Sequence, residues 1–226
     1  HKSLSVEDIL IRSSNIGTLL IARKIGEEKY KQFLKNSELL KSPSIQLEEV
    51  GRPLKFDWNK CKLETVSYGH GIATTPLQAL AVYAALTNGG AIIKPNLIKN
   101  KKNNNYGRLI SKKTSDDINK ILRKIVTDEE GTASLADAYG YNVGGKTGTS
   151  KKVEKGNYSE EKKITSFIGI FPAKSPEFLT FVLFDEPQKN VTNSKETTGG
   201  NTAAPTFSKI VKKISPIITQ DNYSRN

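Results

Sequence analysis

Three strand candidates follow one another from Val143 onward: Val143 to Ser150, and the apolar runs Ile164 to Phe171 and Phe178 to Phe184. Each has the length and composition of a strand, and the last two are apolar at consecutive positions, so both of their faces need cover. A sheet flanked by helices follows. The first run is entered through Gly144-Gly145 and carries Lys146-Thr147-Gly148-Thr149. An exposed turn with a solvated lysine is the plainer reading of such a quartet. The apolar strands directly behind it favour a position at the mouth of the sheet instead.

Upstream of the strands the chain reads as helical. Val6 to Leu10 makes a turn or two, then Ser13, Ser14 and Asn15 interrupt before Ile16 to Ile25 resumes, closed by Gly26. Ser and Asn side chains compete for backbone hydrogen bonds and favour helix ends, so a helix stops and restarts there. A short amphipathic helix carries Tyr30, Phe33 and Leu34, and Ser42 to Asn59 reads as loop. Thr75-Pro76-Leu77-Gln78 is the clearest helix start, since Thr and Gln three apart can cap each other's backbone donors and Pro suits the first turn. That helix runs to Asn88-Gly89-Gly90. A further helix places Ile118, Ile121, Leu122, Ile125 and Val126 on one face, with Asp116 and Asp117 near its start. Asn100 to Asn105 is a polar loop. Phe207, Ile210, Val211 and Ile214 share one side of a terminal helix, and a frayed tail is expected from Thr219, over residues 219–226.

Composition narrows the chemistry. Lys and Arg number 35 against 23 Asp and Glu, a formal charge of +12, which raises the question of nucleic acid. The lysines lie in scattered pairs such as Lys101-Lys102 and Lys162-Lys163, without interleaved aromatics, so the expected partners exclude nucleic acid. Cys61 has no internal partner, His1 and His70 stand alone, and no cluster has metal-ligand spacing, so neither a metal nor a cofactor is expected. No stretch approaches the roughly 20 apolar residues of a membrane helix. The chain starts at His1 and has no methionine, which predicts a piece of a longer polypeptide. One domain, 1–226, is expected, incomplete at its front.

The runs Leu4 to Gly17, Tyr68 to Gly90, Gly144 to Lys152, Phe167 to Pro172, Asp185-Glu186-Pro187 and Gly199 to Phe207 together resemble the C-terminal part of the transpeptidase domain of class B penicillin-binding proteins, most like the septal, cell-division type. Each motif alone is weak. Their order and flanks make the resemblance specific. It implies an α/β (α+β) fold: an antiparallel sheet flanked by helices, of the serine transpeptidase and β-lactamase kind, with the N-terminal strands and the nucleophile helix absent. It also implies a site. Ser13 is the hydroxyl that relays a proton near the leaving group, and Asn15 holds the substrate backbone. Lys146 supplies positive potential, Thr147 bonds the substrate carboxylate, Gly148 leaves room for an extended peptide, and the Thr149 N–H joins the oxyanion hole. From positions 13 to 15 alone, Ser13 and Asn15 read better as helix caps, and the matching flanks reverse that reading. Gly69 and Gly71 around His70 form a tight loop, and Thr197 to Gly200 a flexible rim.

The family's acylating Ser-x-x-Lys is missing ahead of Ser13. Ser159-Glu160-Glu161-Lys162 has the spacing but lies after Lys146 in a charged stretch, and reads as a decoy. The resemblance therefore implies a peptidoglycan D,D-transpeptidase whose parent protein takes D-Ala-D-Ala stem peptides and β-lactams, while the chain as given is inactive. It implies a periplasmic or otherwise extracytoplasmic location, an N-terminal membrane anchor outside this chain, and divisome membrane proteins as partners through that absent part. Removal of the first strands leaves 178–184 as an exposed edge or as a site of self-association. The alternatives are a non-catalytic relative that binds peptides or protein partners, then a β-lactamase, for which no Glu-x-x-Leu-Asn segment is found, or a basic nucleic-acid binder.

Overall fold

The computed structural model describes residues 3–58, 63–98, 106–154, 156–188 and 196–223. His1, Cys61 and the Asn100 to Asn105 loop lie outside them. The chain divides into two compact units, His1–Ile118 and Asn119–Asn226.

The first unit is helical, and its sequence punctuation forms as physical chemistry dictates. Ser5 and Asp8 cap α1 (Val6–Ile11) reciprocally, each side chain accepting the other's backbone N–H at 3.1 Å. The chain then breaks and restarts as α2 (Asn15–Ile25), which Gly26 ends at φ 88°. A Cβ on Gly17 would lie 2.5 to 2.9 Å from three carbons of Ile9, so glycine is what lets α2 approach α1. Helices α3 (Glu27–Ser37), α4 (Leu63–Val66) and α5 (Pro76–Thr87) follow. Thr75 Oγ1 accepts the Gln78 N–H at 3.2 Å, but the return bond from the Gln78 side chain is not made, and that side chain is buried. Ile9, Ile11, Ala22, Leu34, Val66, Val82 and Ala85 form the core of this unit.

Helix α6 (Lys112–Thr127) differs in detail from its pattern. Leu122, Ile125 and Val126 are buried, yet the same face is continued by Ser115 and Asn119, while Ile118 and Ile121 are only half-buried. Ser115 is buried because its hydroxyl accepts the Gly89 N–H at 2.9 Å, so a hydrogen bond substitutes for apolar contact. Asp116 and Asp117 pair with Lys112 and Lys113 one turn back, at 2.7 and 2.8 Å.

The second unit holds an antiparallel three-stranded sheet, ordered β1 (Gly144–Glu154), β2 (Asn157–Phe171) and β3 (Phe178–Asp185). Helix α7 (Ala203–Tyr223) packs on β2 and β3. Phe207 and Val211 of α7 are fully buried, as are Phe167 and Ile170 of β2. The Phe207 ring lies 4.9 Å from that of Phe167 and 6.2 Å from that of Phe171, centroid to centroid. This is the α+β arrangement expected, with three differences. The β1–β2 hairpin extends through charged residues to 154 and 157, because ion pairs replace burial there: Lys152 with Asp185 and Glu186 at 2.9 and 2.7 Å, and Lys162 with Glu154. The far end of β3 is not covered, and Leu183 and Phe184 are exposed. The backbone of α7 is helical past Thr219 to Tyr223, with Pro216 inside it, where a frayed tail is expected.

Candidate active site

In the first unit Ser13 sits in the break between α1 and α2 with φ 55°, a left-handed conformation uncommon for a residue with a side chain. The capping role falls to its neighbour. Ser14 Oγ accepts the Gly17 N–H at 3.1 Å, and its carbonyl accepts from the Thr18 hydroxyl at 2.9 Å. Asn15 is the first residue of α2. Ser13 and Asn15 are exposed residues, and the cap of α2 is Ser14. In the same unit, Gly69 and Gly71 adopt φ 94° and 78°, which makes the loop around His70 a tight one, closed by the His70 N–H to Thr65 O bond of 3.0 Å.

In the second unit Lys146 to Thr149 lie on β1, which is an edge of the sheet among the described residues. Lys146 pairs with Ile168, Thr147 with Phe167, Gly148 with Ser166 and Thr149 with Thr165. The Lys146 ammonium donates to Thr147 O at 3.1 Å and lies 3.4 Å from Thr147 Oγ1. Burial lowers its pKa from the ordinary 10.5 to about 8, because removal from water disfavours the charged form. A partly buried ammonium beside a hydroxyl on an open strand edge is suited to receiving an anion.

Two residues around this quartet and one within it have environments that their local sequence does not show. Thr132 Oγ1 lies 2.9 Å from Thr147 Oγ1. Gly199 donates its N–H to Thr149 Oγ1 at 3.0 Å, so the segment at Thr197 to Gly200 is tied to β1, not a free rim. A Cβ on Gly199 would also press on the backbone of Gly148 and Ser166. Gly148 itself is glycine for a nearer reason than room for a ligand, since a Cβ there would meet Ser166 Oγ at 2.5 Å. The only sequence signal at these sites is glycine beside threonine, which by itself reads as a turn. The decoy serine resolves the other way: Ser159 Oγ accepts the Lys162 N–H at 3.1 Å and the Lys162 ammonium turns to Glu154. Among the described residues no cluster of His, Cys, Asp or Glu could hold a metal ion, and no helix is long and apolar enough to cross a membrane.

Residues 1–212, which take in both units, match the penicillin binding protein transpeptidase domain. The chain belongs to this family. It is 32% identical over 226 residues to the probable peptidoglycan D,D-transpeptidase FtsI of Caulobacter vibrioides, covering 95% of this chain and 38% of that protein. To the stage V sporulation protein D of Bacillus subtilis it is 31% identical, covering 92% and 34%. The chain thus spans little more than a third of the length of these curated relatives, and it corresponds to their C-terminal portion. Among solved structures, the apo transpeptidase domain of Burkholderia pseudomallei penicillin-binding protein 3 superposes with a TM-score of 0.83 at 26% identity, over 95% of this chain and 65% of that one. Penicillin-binding protein 3 of Mycobacterium tuberculosis, solved with aztreonam, has the same fold, with a TM-score of 0.80 at 24% identity over 96% of this chain and 52% of that one.

Proposed function

We propose that these 226 residues are the C-terminal part of one transpeptidase domain, of a cell-division peptidoglycan D,D-transpeptidase that acts outside the cytoplasm and is anchored through its N-terminal part. The observation that carries the reading is the Lys146 ammonium, partly buried beside Thr147 on an open strand edge, in a chain of this family. Acyl transfer at D-Ala-D-Ala needs an activated serine, a proton path to the leaving amine, a cation for the terminal carboxylate and donors for the oxyanion. This chain supplies the cation, one of the oxyanion donors and a hydroxyl for the proton path. Lys146 and the Thr147 hydroxyl bind the carboxylate. Thr149 contributes its N–H, its hydroxyl being already engaged by Gly199. Ser13 relays the proton and Asn15 holds the stem-peptide backbone and the lysine of the acylating pair. The serine itself stands in a Ser-x-x-Lys upstream of His1. A β-lactam occupies the same place as the peptide and acylates the same serine.

The experiment is covalent labelling with a fluorescent penicillin. The full-length gene product is expected to form a stable adduct, and residues 1–226 alone none. Absence of an adduct with the full-length protein overturns the reading, and an adduct with the isolated chain overturns the placement of the nucleophile.

The outer edge of β3 has no strand partner among the described residues, and Leu183 and Phe184 are 44% and 36% exposed at its end. An unpaired apolar edge templates further pairing. The isolated chain is therefore expected to self-associate through 178–184, and to do so less when Leu183→Lys is introduced. A monomer at every concentration in sedimentation runs counts against this.

A further inference from the structure

We propose that Thr132 is a positioning residue that fixes the direction of the Thr147 hydroxyl, an inference that rests on the transpeptidase reading above. Thr132 Oγ1 and Thr147 Oγ1 are 2.9 Å apart, a separation at which either is able to donate. A hydroxyl has one hydrogen and two lone pairs, an ammonium has three donors and no acceptor, and an ionised carboxylate only accepts. Either direction satisfies these inventories, but only donation by Thr132 keeps the Thr147 hydrogen for an arriving carboxylate. The Lys146 ammonium, 3.4 Å from Thr147 Oγ1, presents only hydrogens to that oxygen. If Thr132 also donates, both lone pairs of Thr147 Oγ1 are filled and its single hydrogen is left to point away from the protein. A carboxylate arriving at the β1 edge then finds a donor already aimed. If instead Thr147 donated to Thr132, the carboxylate would face an oxygen lone pair, and the bond would have to be reversed on binding.

Thr132 is held well enough to serve. It follows α6 in a turn closed by the Gly131 N–H to Asp128 O bond of 2.9 Å and the Ala133 N–H to Ile125 O bond of 3.2 Å. Ala133 is fully buried. A Cβ on Gly131 would strike the Ile125 carbonyl, and one on Gly200 would strike the Thr132 carbonyl, so backbone packs closely on both sides of the residue. The hydroxyl therefore rotates about a fixed stem, and little ordering is left to occur when the anion binds.

The test compares T132V and T132S in the full-length protein, using benzylpenicillin, whose carboxylate accepts from Thr147, and its methyl ester, which presents no anion there. T132V is expected to lower the second-order acylation constant for benzylpenicillin about tenfold while changing that for the ester less than about twofold, and T132S to restore the benzylpenicillin value. T132A replaces T132V should the latter not fold. A T132V protein that reacts with benzylpenicillin like the wild type overturns the proposal, as does an equal loss toward both ligands, which marks a packing role. Wild-type protein that is not acylated at all overturns the transpeptidase reading, and this inference with it.

Discussion

Lys146→Met in the full-length protein is expected to lower acylation by benzylpenicillin roughly 100- to 1,000-fold, the loss typical of removing one preorganised charge-stabilising group, while the protein still folds. Met preserves the length of the stem on β1 and removes the ammonium beside Thr147. Burial already holds that ammonium near pKa 8, so the neutral replacement relieves a desolvation cost that the wild type bears. The isolated 226-residue chain should accordingly melt no lower with Met than with Lys.

The pH dependence of that comparison has a definite sign. The folded pKa of about 8 lies below the unfolded value of 10.5. Below pH 8 both states carry the proton and the cost of the buried ammonium is present in full. Between about pH 8 and 10.5 the unfolded chain binds more protons at this site than the folded one, so stability rises with pH through that window. Thermal melts of the wild type minus those of K146M should therefore converge toward the variant, or pass it, from pH 8 to 10.5. Parallel melting curves across the window would show that Lys146 has an ordinary pKa and is not partly buried as described. A bound carboxylate opposes the shift, since an anion favours the ammonium. Acylation by benzylpenicillin should weaken as the pH of the free enzyme climbs past 8.

What the sequence shows and conceals follows from the range of the forces involved. The strands at 164–171 and 178–184 are legible because apolar runs of that length admit few other fates, and the start of α5 is legible because Thr75, Pro76 and Gln78 act within one turn. The site residues at Lys146 to Thr149 are legible as a motif. Their surroundings are not, because Thr132 meets Thr147 across 15 residues and Gly199 meets Thr149 across 50, and nothing local records such a meeting. Charge misleads in the β1–β2 hairpin for a related reason. Lys152 and Lys162 fall outside the strand runs read from the sequence, yet Asp185, Glu186 and Glu154 pair with them and the strands continue. Within the Ser-Ser-Asn element, the type of residue identifies a helix break, while only geometry separates the cap, Ser14, from the two that remain exposed.

Phe207→Ala is expected to destabilise the second unit by about 3 to 5 kcal/mol, the range for truncating a buried aromatic, which at about 2 to 4 °C per kcal/mol lowers its melting point by roughly 6 to 20 °C. The ring is fully buried, and its Cε2 and Cζ press against Gly169. A methyl on Gly169 would collide with two carbons of the Phe207 ring and lie 2.7 Å from Phe167 Cε1. Gly169→Ala should therefore cost about 1 to 3 kcal/mol as an overpacked site. The two changes occupy one space, so they should not add. In the Phe207→Ala background the methyl at 169 enters a cavity, and its penalty should shrink to that of its contact with Phe167 alone. The coupling reaches the site through register, since Gly169 pairs with Gly145 and its neighbour Ile168 pairs with Lys146. Gly169→Ala pushes β2 away from α7, and because β2 holds the register of β1, in the full-length protein it should slow acylation as well as lower stability. Phe207→Ala, which relaxes β2 without pushing it, should cost stability first. Additive melting shifts in the double variant would refute the packing of Phe207 on Gly169 and, with it, this route from the core to Lys146.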